Sequence, residues 1–197
     1  MAATTRCCVC LSAPTYAAGA ASTHNARGSA KLQTWRRFNL LRARPAALAD
    51  IARIIPMVQR YWNLEAIDGF DPRSIESTLA ALLSHAKHGA CWVADNDGIL
   101  CGYLTAVYML SVEHGGLMAE IDEFFVEAAH RSLGAGSLLI AAAESDMVAL
   151  GVKRMQLQLK RGNQRGLAFY ERQGFKVLAK IVVDPTCGFS PMLRLPR

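Results

Sequence analysis

Two neighbouring groups of residues have the types and spacing for chemistry. The first is Glu120, Asp122 and Glu123, in the run Ala119-Glu120-Ile121-Asp122-Glu123-Phe124-Phe125-Val126. Three carboxylates so close together on an otherwise apolar strand are costly unless they are paired or open on a solvated cleft. Like-charge proximity and partial burial raise at least one pKa, as a base working near neutral pH requires. Strand alternation puts Glu120 and Asp122 on one face and Glu123 on the other. The blander expectation is an ion pair from one of them to an Arg or Lys on a neighbouring strand. The second group is the loop Arg131-Ser132-Leu133-Gly134-Ala135-Gly136-Ser137, which opens a long Ala/Leu-rich helix. Its glycines permit close backbone approach, and the N–H groups at a helix start form a cradle for pyrophosphate. The same glycines also serve simply to shape a turn. There is no Gly-Lys-Ser/Thr of a Walker loop, and the G-x-G-x-x-G dinucleotide fingerprint is incomplete.

The elements that must hold these groups alternate in type. Phe38 to Ala43 reads as a first strand, and Pro45 opens a helical pattern through Ile51, Ile54, Ile55 and Val58. Pro56 is expected to kink or end the first section of that helix. Asp71-Pro72 is a helix start, with Ile75, Leu79, Leu82 and Leu83 on one face and Gly89 after its end. Cys91–Ala94 and Ile99–Leu110 are strands joined by the hairpin turn Asn96-Asp97-Gly98. Gly115-Gly116 leads into a fourth strand, Met118–Val126. The helix after the glycine loop ends near Leu150, and Met155–Leu159 is a fifth strand. Asn163 starts a helix that Gly174 terminates, and Phe175–Val183 and Met192–Leu195 are closing strands. The pattern is a mixed α/β domain over residues 37–197.

Charge separates that domain from what precedes it. Residues 1–49 hold seven Lys or Arg and no acid, whereas residues 50–197 hold 15 basic and 16 acidic side chains. The formal charge of +6 therefore belongs to the N-terminal segment, which argues against a nucleic-acid-binding body. Residues 1–34 read as a disordered basic extension or a targeting segment. No apolar run approaches the roughly 18 residues of a membrane span. Cys7, Cys8 and Cys10 have only His24 nearby, too few ligands for a closed zinc site, so no metal is expected. Cys91, Cys101 and Cys187 stand singly, which favours a reducing compartment and a packing role. The expected location is the cytoplasm, with an organelle the alternative.

The run Arg131-x-x-Gly134-x-Gly136 resembles the acetyl-CoA signature of the GNAT superfamily of N-acetyltransferases. A second block agrees: Asn163-Gln164-Arg165-Gly166-Leu167-Ala168-Phe169-Tyr170-Glu171-Arg172-Gln173-Gly174-Phe175 is similar to that family's Asn-x-x-Ala-x-x-Phe-Tyr-x-x-x-Gly-Phe segment. Ser111 to Gly116 and Ile121-Asp122-Glu123 also resemble one bacterial branch. The resemblance implies an α/β GNAT fold: a central mixed, mostly antiparallel sheet of about seven strands, flanked by about four helices, with the fourth and fifth strands splayed. Pantetheine would bond to the backbone of Phe124, Phe125 and Val126. Pyrophosphate would sit on the loop Arg131, Ser132, Leu133, Gly134, Ala135, Gly136 and Ser137. Asn163 matches a cofactor contact, and Tyr170 matches the acid that protonates the departing thiolate.

Amine acetylation also needs a base. Where some members carry a carboxylate on the fifth strand, this chain has Gln158, which cannot act as one. Other members use a fourth-strand glutamate, and the matching position is Glu120. Glu120 is the first candidate and Asp122 the second, with Glu113 a loop carboxylate for the substrate's ammonium. His114 and His130 are loop residues, solvated or shuttling protons. Trp62 and Tyr61 fall where the family's acceptor pocket lies. The expected activity is direct acetyl transfer from acetyl-CoA, in a ternary complex, to a small-molecule amine or a protein or peptide amino group. Gln158 keeps open a catalytically silent acyl-CoA-binding regulatory module. The resemblance also allows a homodimer, with no nucleic acid or membrane partner.

Overall fold

In this computed structural model the chain is described over residues 40–177, together with the strand at 189–194. The N-terminal cysteines, Cys187, Phe38, the later part of the Phe175–Val183 strand and Leu195 lie outside the described residues. In chain order the elements are β1 (Leu41–Pro45), α1 (Ile51–Glu65), α2 (Pro72–Ser84), β2 (Gly89–Asn96), β3 (Ile99–Ser111) and β4 (Gly116–Val126). There follow α3 (Ala135–Ala149), β5 (Arg154–Lys160), α4 (Gln164–Arg172), β6 (Lys176–Val177) and β7 (Phe189–Arg194). The sheet runs β1-β2-β3-β4-β5-β7-β6 and is mixed: β4 and β5 are parallel and the other pairs antiparallel.

Local chemistry explains most boundaries. Asp71 caps α2 by accepting from the amides of Arg73 and Ser74, and Pro72 takes the first helical position, where no N–H is needed. Asp97 and Gly98 both have positive φ, the geometry of a tight hairpin turn, and the Asp95 carboxylate accepts from the Gly98 amide at 2.7 Å. Two expectations are corrected. Pro45 closes the edge strand β1 rather than opening a helix, and a 3-10 turn at Leu48–Asp50 precedes α1. Pro56 does not end the helix, because α1 runs through it to Glu65. The ring removes one bond, to the Ala52 carbonyl, near the helix start. Burial of Ile51, Ile54, Met57, Val58 and Tyr61 outweighs that loss.

Hydrophobic layers cover both faces of the sheet. On one, α3 and α4 pack Leu139, Ile140, Met147, Phe169 and Tyr170 against Leu104, Ile121, Phe124 and Leu157. On the other, α1 and α2 pack Ile54, Val58, Tyr61 and Leu79 against Val93, Tyr103 and Phe125. Cys91 and Cys101 are buried in this structure, and burial pushes both thiols up, Cys101 to about 11, which keeps them protonated packing residues. An ion-paired corner ties β1 to α1: Asp50 accepts from Arg44 at 2.7 Å and pairs with Arg53. Among the described residues no helix is long and apolar enough to cross a membrane.

Candidate active site

The parallel pairing of β4 with β5 ends at Ile121 and Leu157, although β4 continues to Val126 and β5 to Lys160. The sheet therefore loses its β4–β5 ladder in its middle, just where the carboxylates lie. At the same point β4 bulges against β3. Cross-strand partners step from Ala106 and Ile121 to Thr105 and Glu123, leaving Asp122 as the extra residue. A bulge inserts one residue into the alternation and shifts the phase of everything after it. Glu120, opposite Val107, and Glu123, opposite Thr105, consequently share the α1/α2 face. This corrects the expectation that Glu123 points away from Glu120.

Glu123 and Asp122 line a cavity of about 140 Å³ beneath α1 and α2. The Glu123 carboxylate accepts from the Tyr103 hydroxyl at 2.7 Å and from the Trp62 indole N–H at 2.6 Å. Its backbone N–H, turned by the bulge, donates to the Thr105 hydroxyl at 3.0 Å. Burial raises the Glu123 carboxyl to about 7; the two donors oppose the rise and the charge of Asp122 adds to it. The raised pKa foreseen for the carboxylate trio thus falls on its third member. The Tyr103 phenol is itself held well above its ordinary value by burial and by Glu123, so it stays a donor. Sequence reasoning did not single out Tyr103 and Thr105, which hydrogen-bond to Glu123. Trp62 lines the cavity edge-on to Phe70, whereas Tyr61 is wholly buried.

Glu120 is buried on the same face. Its carboxylate takes the side-chain amides of Gln156 at 2.9 Å and Gln158 at 3.3 Å. Among the described residues, then, Glu120 and Glu123 are held by neutral donors rather than by Arg or Lys. Glu113 does not line this cavity. It is exposed in the turn before β4, with Gly116 between it and the rest of the strand. His114 also lies in that turn, with Nε2 2.6 Å from an Arg154 guanidinium nitrogen.

Beyond the bulge β4 presents its backbone to the opened side. Phe124 packs against Phe169 at 5.6 Å and Tyr170 at 6.1 Å between ring centres. Phe125 lies under the Arg131 guanidinium at 5.8 Å, and Arg131 Nε donates to the Val126 carbonyl at 2.8 Å. Arg131 thus folds the loop back onto the strand end. Ser132 and Gly134 have positive φ, and Gly134 is the residue from which α3 departs. The next amides, of Ala135, Gly136 and Ser137, are first-turn donors with no partner inside the helix. At Gly136 a Cβ would come 3.2 Å from the Phe124 ring and 3.3 Å from that of Phe169, so glycine lets the helix start settle on the strand. Leu133 is exposed on the loop.

Across the gap, Asn163 caps α4, its Oδ1 accepting from the Gly166 amide at 2.8 Å. It also lines a cavity of about 220 Å³ with Leu159, Lys160 and Leu167. Tyr170 is wholly buried, edge-on to Phe169 at 5.2 Å and to Phe175 at 5.4 Å. Extended backbone, a glycine-rich helix start and a capping Asn thus surround the break between β4 and β5. Free helical amides suit a diphosphate, and an interrupted ladder suits an amide-bearing chain.

The sheet is mixed and its ladder opens between the parallel strands β4 and β5, with a glycine-rich helix start on one side and a buried carboxylate on the other. Residues 55–175 match the Acetyltransferase (GNAT) family, and the chain belongs to it. The N-acetyltransferase class, with acetyl-CoA as donor, comes with that membership. Among solved structures, a ribosomal-protein-alanine N-acetyltransferase from Brucella melitensis is similar at 20% identity, TM-score 0.63, covering 78% of this chain and 98% of that one. A PaiA N-acetyltransferase from Thermoplasma acidophilum, in complex with coenzyme A, is similar at 18% identity, TM-score 0.61, covering 79% and 98%. A GNAT-family acetyltransferase from Streptococcus pneumoniae is similar at 19% identity, TM-score 0.62, covering 79% and 98%. At such identities the likeness is one of fold. No curated protein matches the sequence.

Proposed function

We propose that this chain transfers the acetyl group of acetyl-CoA to an amine directly, in a ternary complex. The observation that carries the reading is Glu123: a carboxyl raised to about 7 on the cavity, two residues beyond the end of the β4–β5 ladder and next to the β4 bulge. Acetyl-CoA supplies the activated thioester. The backbone of Phe124, Phe125 and Val126 holds the pantetheine arm. Arg131 braces the loop, and the amides from Ser132 through Leu133, Gly134, Ala135 and Gly136 to Ser137 take the pyrophosphate, with Asn163 on the opposite wall. The fold has the break between the fourth and fifth strands that such an insertion needs.

Glu123 takes the proton from the acceptor ammonium, which frees the nitrogen lone pair. A group titrating near 7 is half ionised at working pH and returns the proton readily. Asp122 supplies a second negative charge for the ammonium, and Trp62 orients Glu123 and walls the pocket. Glu120 stands three residues earlier on β4, oriented by Gln156 and Gln158. It is the alternative base for an acceptor that reaches deeper. Tyr170 protonates the departing sulfur. Gln158 therefore has a supporting place beside a carboxylate, which weighs against the silent module. Residues 37–197 form the catalytic domain, working in the cytoplasm on a small amine or a protein amino group, and residues 1–34 are a basic extension.

The test is release of free thiol from acetyl-CoA by the full chain against a panel of amines and peptides. Acceptor-dependent release is expected. Tight acetyl-CoA binding with no release by any acceptor would overturn the reading in favour of a binding module.

A further inference from the structure

Taking the acetyltransferase reading as its basis, we infer that the acceptor is a primary amine bearing one compact apolar group, four to six carbons or a single aromatic ring, rather than a polyamine or a peptide. The warrant is the cavity over Asp122 and Glu123. Its volume of about 140 Å³ is close to the roughly 150 Å³ of an apolar cavity that takes one benzene molecule. Its walls are the apolar side chains of Val58, Ile75, Leu79 and Leu82, with the Trp62 ring beside them. Among the described residues, the charged ones that line it are Asp122 and Glu123, both on β4. The arrangement is polarised, with negative charge at the floor and hydrocarbon above.

An alkyl- or arylalkylammonium ion matches both ends. Its nitrogen meets the two carboxylates and its hydrocarbon removes the α1 and α2 side chains from water. A polyamine would carry a second ammonium into the Ile75, Leu79 and Leu82 wall, where no acid lines the cavity to receive it. A peptide would bring backbone N–H and C=O groups to walls whose uncharged polar side chains, besides the Trp62 indole committed to Glu123, are Thr78 and Thr105. The reaction is balanced: the N–C bond of the acetamide forms and the C–S bond breaks, and of the two protons that the ammonium gives up one leaves through Glu123 and the other ends on the coenzyme A thiol.

The experiment measures kcat/KM for thiol release by the full chain with ethylamine, butylamine, pentylamine, benzylamine and phenethylamine. Spermidine and an alanine-initiated tetrapeptide are run beside them. The expected result is a rise of about fourfold per added methylene until the cavity is full, with benzylamine at least tenfold above spermidine and the tetrapeptide. In Ile75→Phe, which fills part of the cavity, the optimum moves to shorter amines. Faster release with spermidine or the tetrapeptide than with every apolar amine overturns this acceptor class and leaves the acetyltransferase reading standing. An unchanged length preference in an Ile75→Phe protein that still turns over places the acceptor elsewhere. No release with any amine, in protein that binds acetyl-CoA, overturns that reading and the acceptor class together.

Discussion

Glu123→Gln is the most informative single change. The carboxyl moves from its ordinary 4.5 to about 7 because the fold buries it against Trp62 and Tyr103. A shift of that size means the charged form costs the native state on the order of 2–3 kcal/mol, allowing for the cavity's access to water. The sign follows from proton uptake. Between pH 4.5 and 7 the native protein holds a proton that the unfolded chain has released, so stability falls as pH rises through that window. Glutamine removes the ionisation while keeping the network: its oxygen accepts from the indole, and its amide donates to the Tyr103 hydroxyl. Urea denaturation from pH 4.5 to 8.5 should show wild type losing that energy relative to the variant, equivalent to roughly 5–10 °C in Tm. Turnover should fall about 100-fold, and the rising limb of the wild-type pH–rate profile near 7 should vanish. Parallel stability curves for the two proteins across this range would refute the burial argument. A retained rate and limb would remove Glu123 as base and return the role to Glu120.

Three further outcomes follow from the packing. Asp50→Asn should cost roughly 1–2 kcal/mol at pH 7 after screening at the partly exposed Arg44. The Asp50 carboxyl is held at about 2, chiefly by Arg44, so its contribution is present above 3.8 and lost as pH falls towards 2. Urea midpoints for the two proteins should therefore converge in acid. Gly134→Ala places a Cβ that meets nothing within 4 Å but sits at φ +93°, so backbone strain of about 1 kcal/mol is the only local cost. Calorimetric titration with coenzyme A should show weakened affinity as the α3 start shifts. Tyr170→Phe retains the rings around Phe124, Phe169 and Phe175 and should lower kcat at least tenfold, with coenzyme A affinity within twofold; equal kcat would leave Tyr170 a packing residue.

Much of this architecture was legible in local chemistry. Asp71-Pro72, Asn96-Asp97-Gly98 and the Gly134 loop act through their own dihedral preferences and hydrogen bonds, so they can be recognised without knowing what packs on them. The two family-like motifs, on the loop and on α4, belong to the same category. Pro56 misled because a local penalty was set against a buried face whose partner, the sheet, is distant in sequence.

The amino-acid order alone determined the kinds of element, their sequence, the glycines where the helix start is made, and the presence of ionisable groups on the fourth strand. Those depend on interactions within a few residues. Which carboxylate becomes the titratable one was decided only by tertiary structure. The β4 bulge arises from register with β3 and turns Glu123 onto the face of Glu120. Its raised pKa comes from burial beneath the helices, which outweighs the hydrogen bonds from Trp62 and Tyr103, 61 and 20 residues away in the chain. Strand phase and desolvation are properties of neighbours, and the neighbours exist only once the chain is folded.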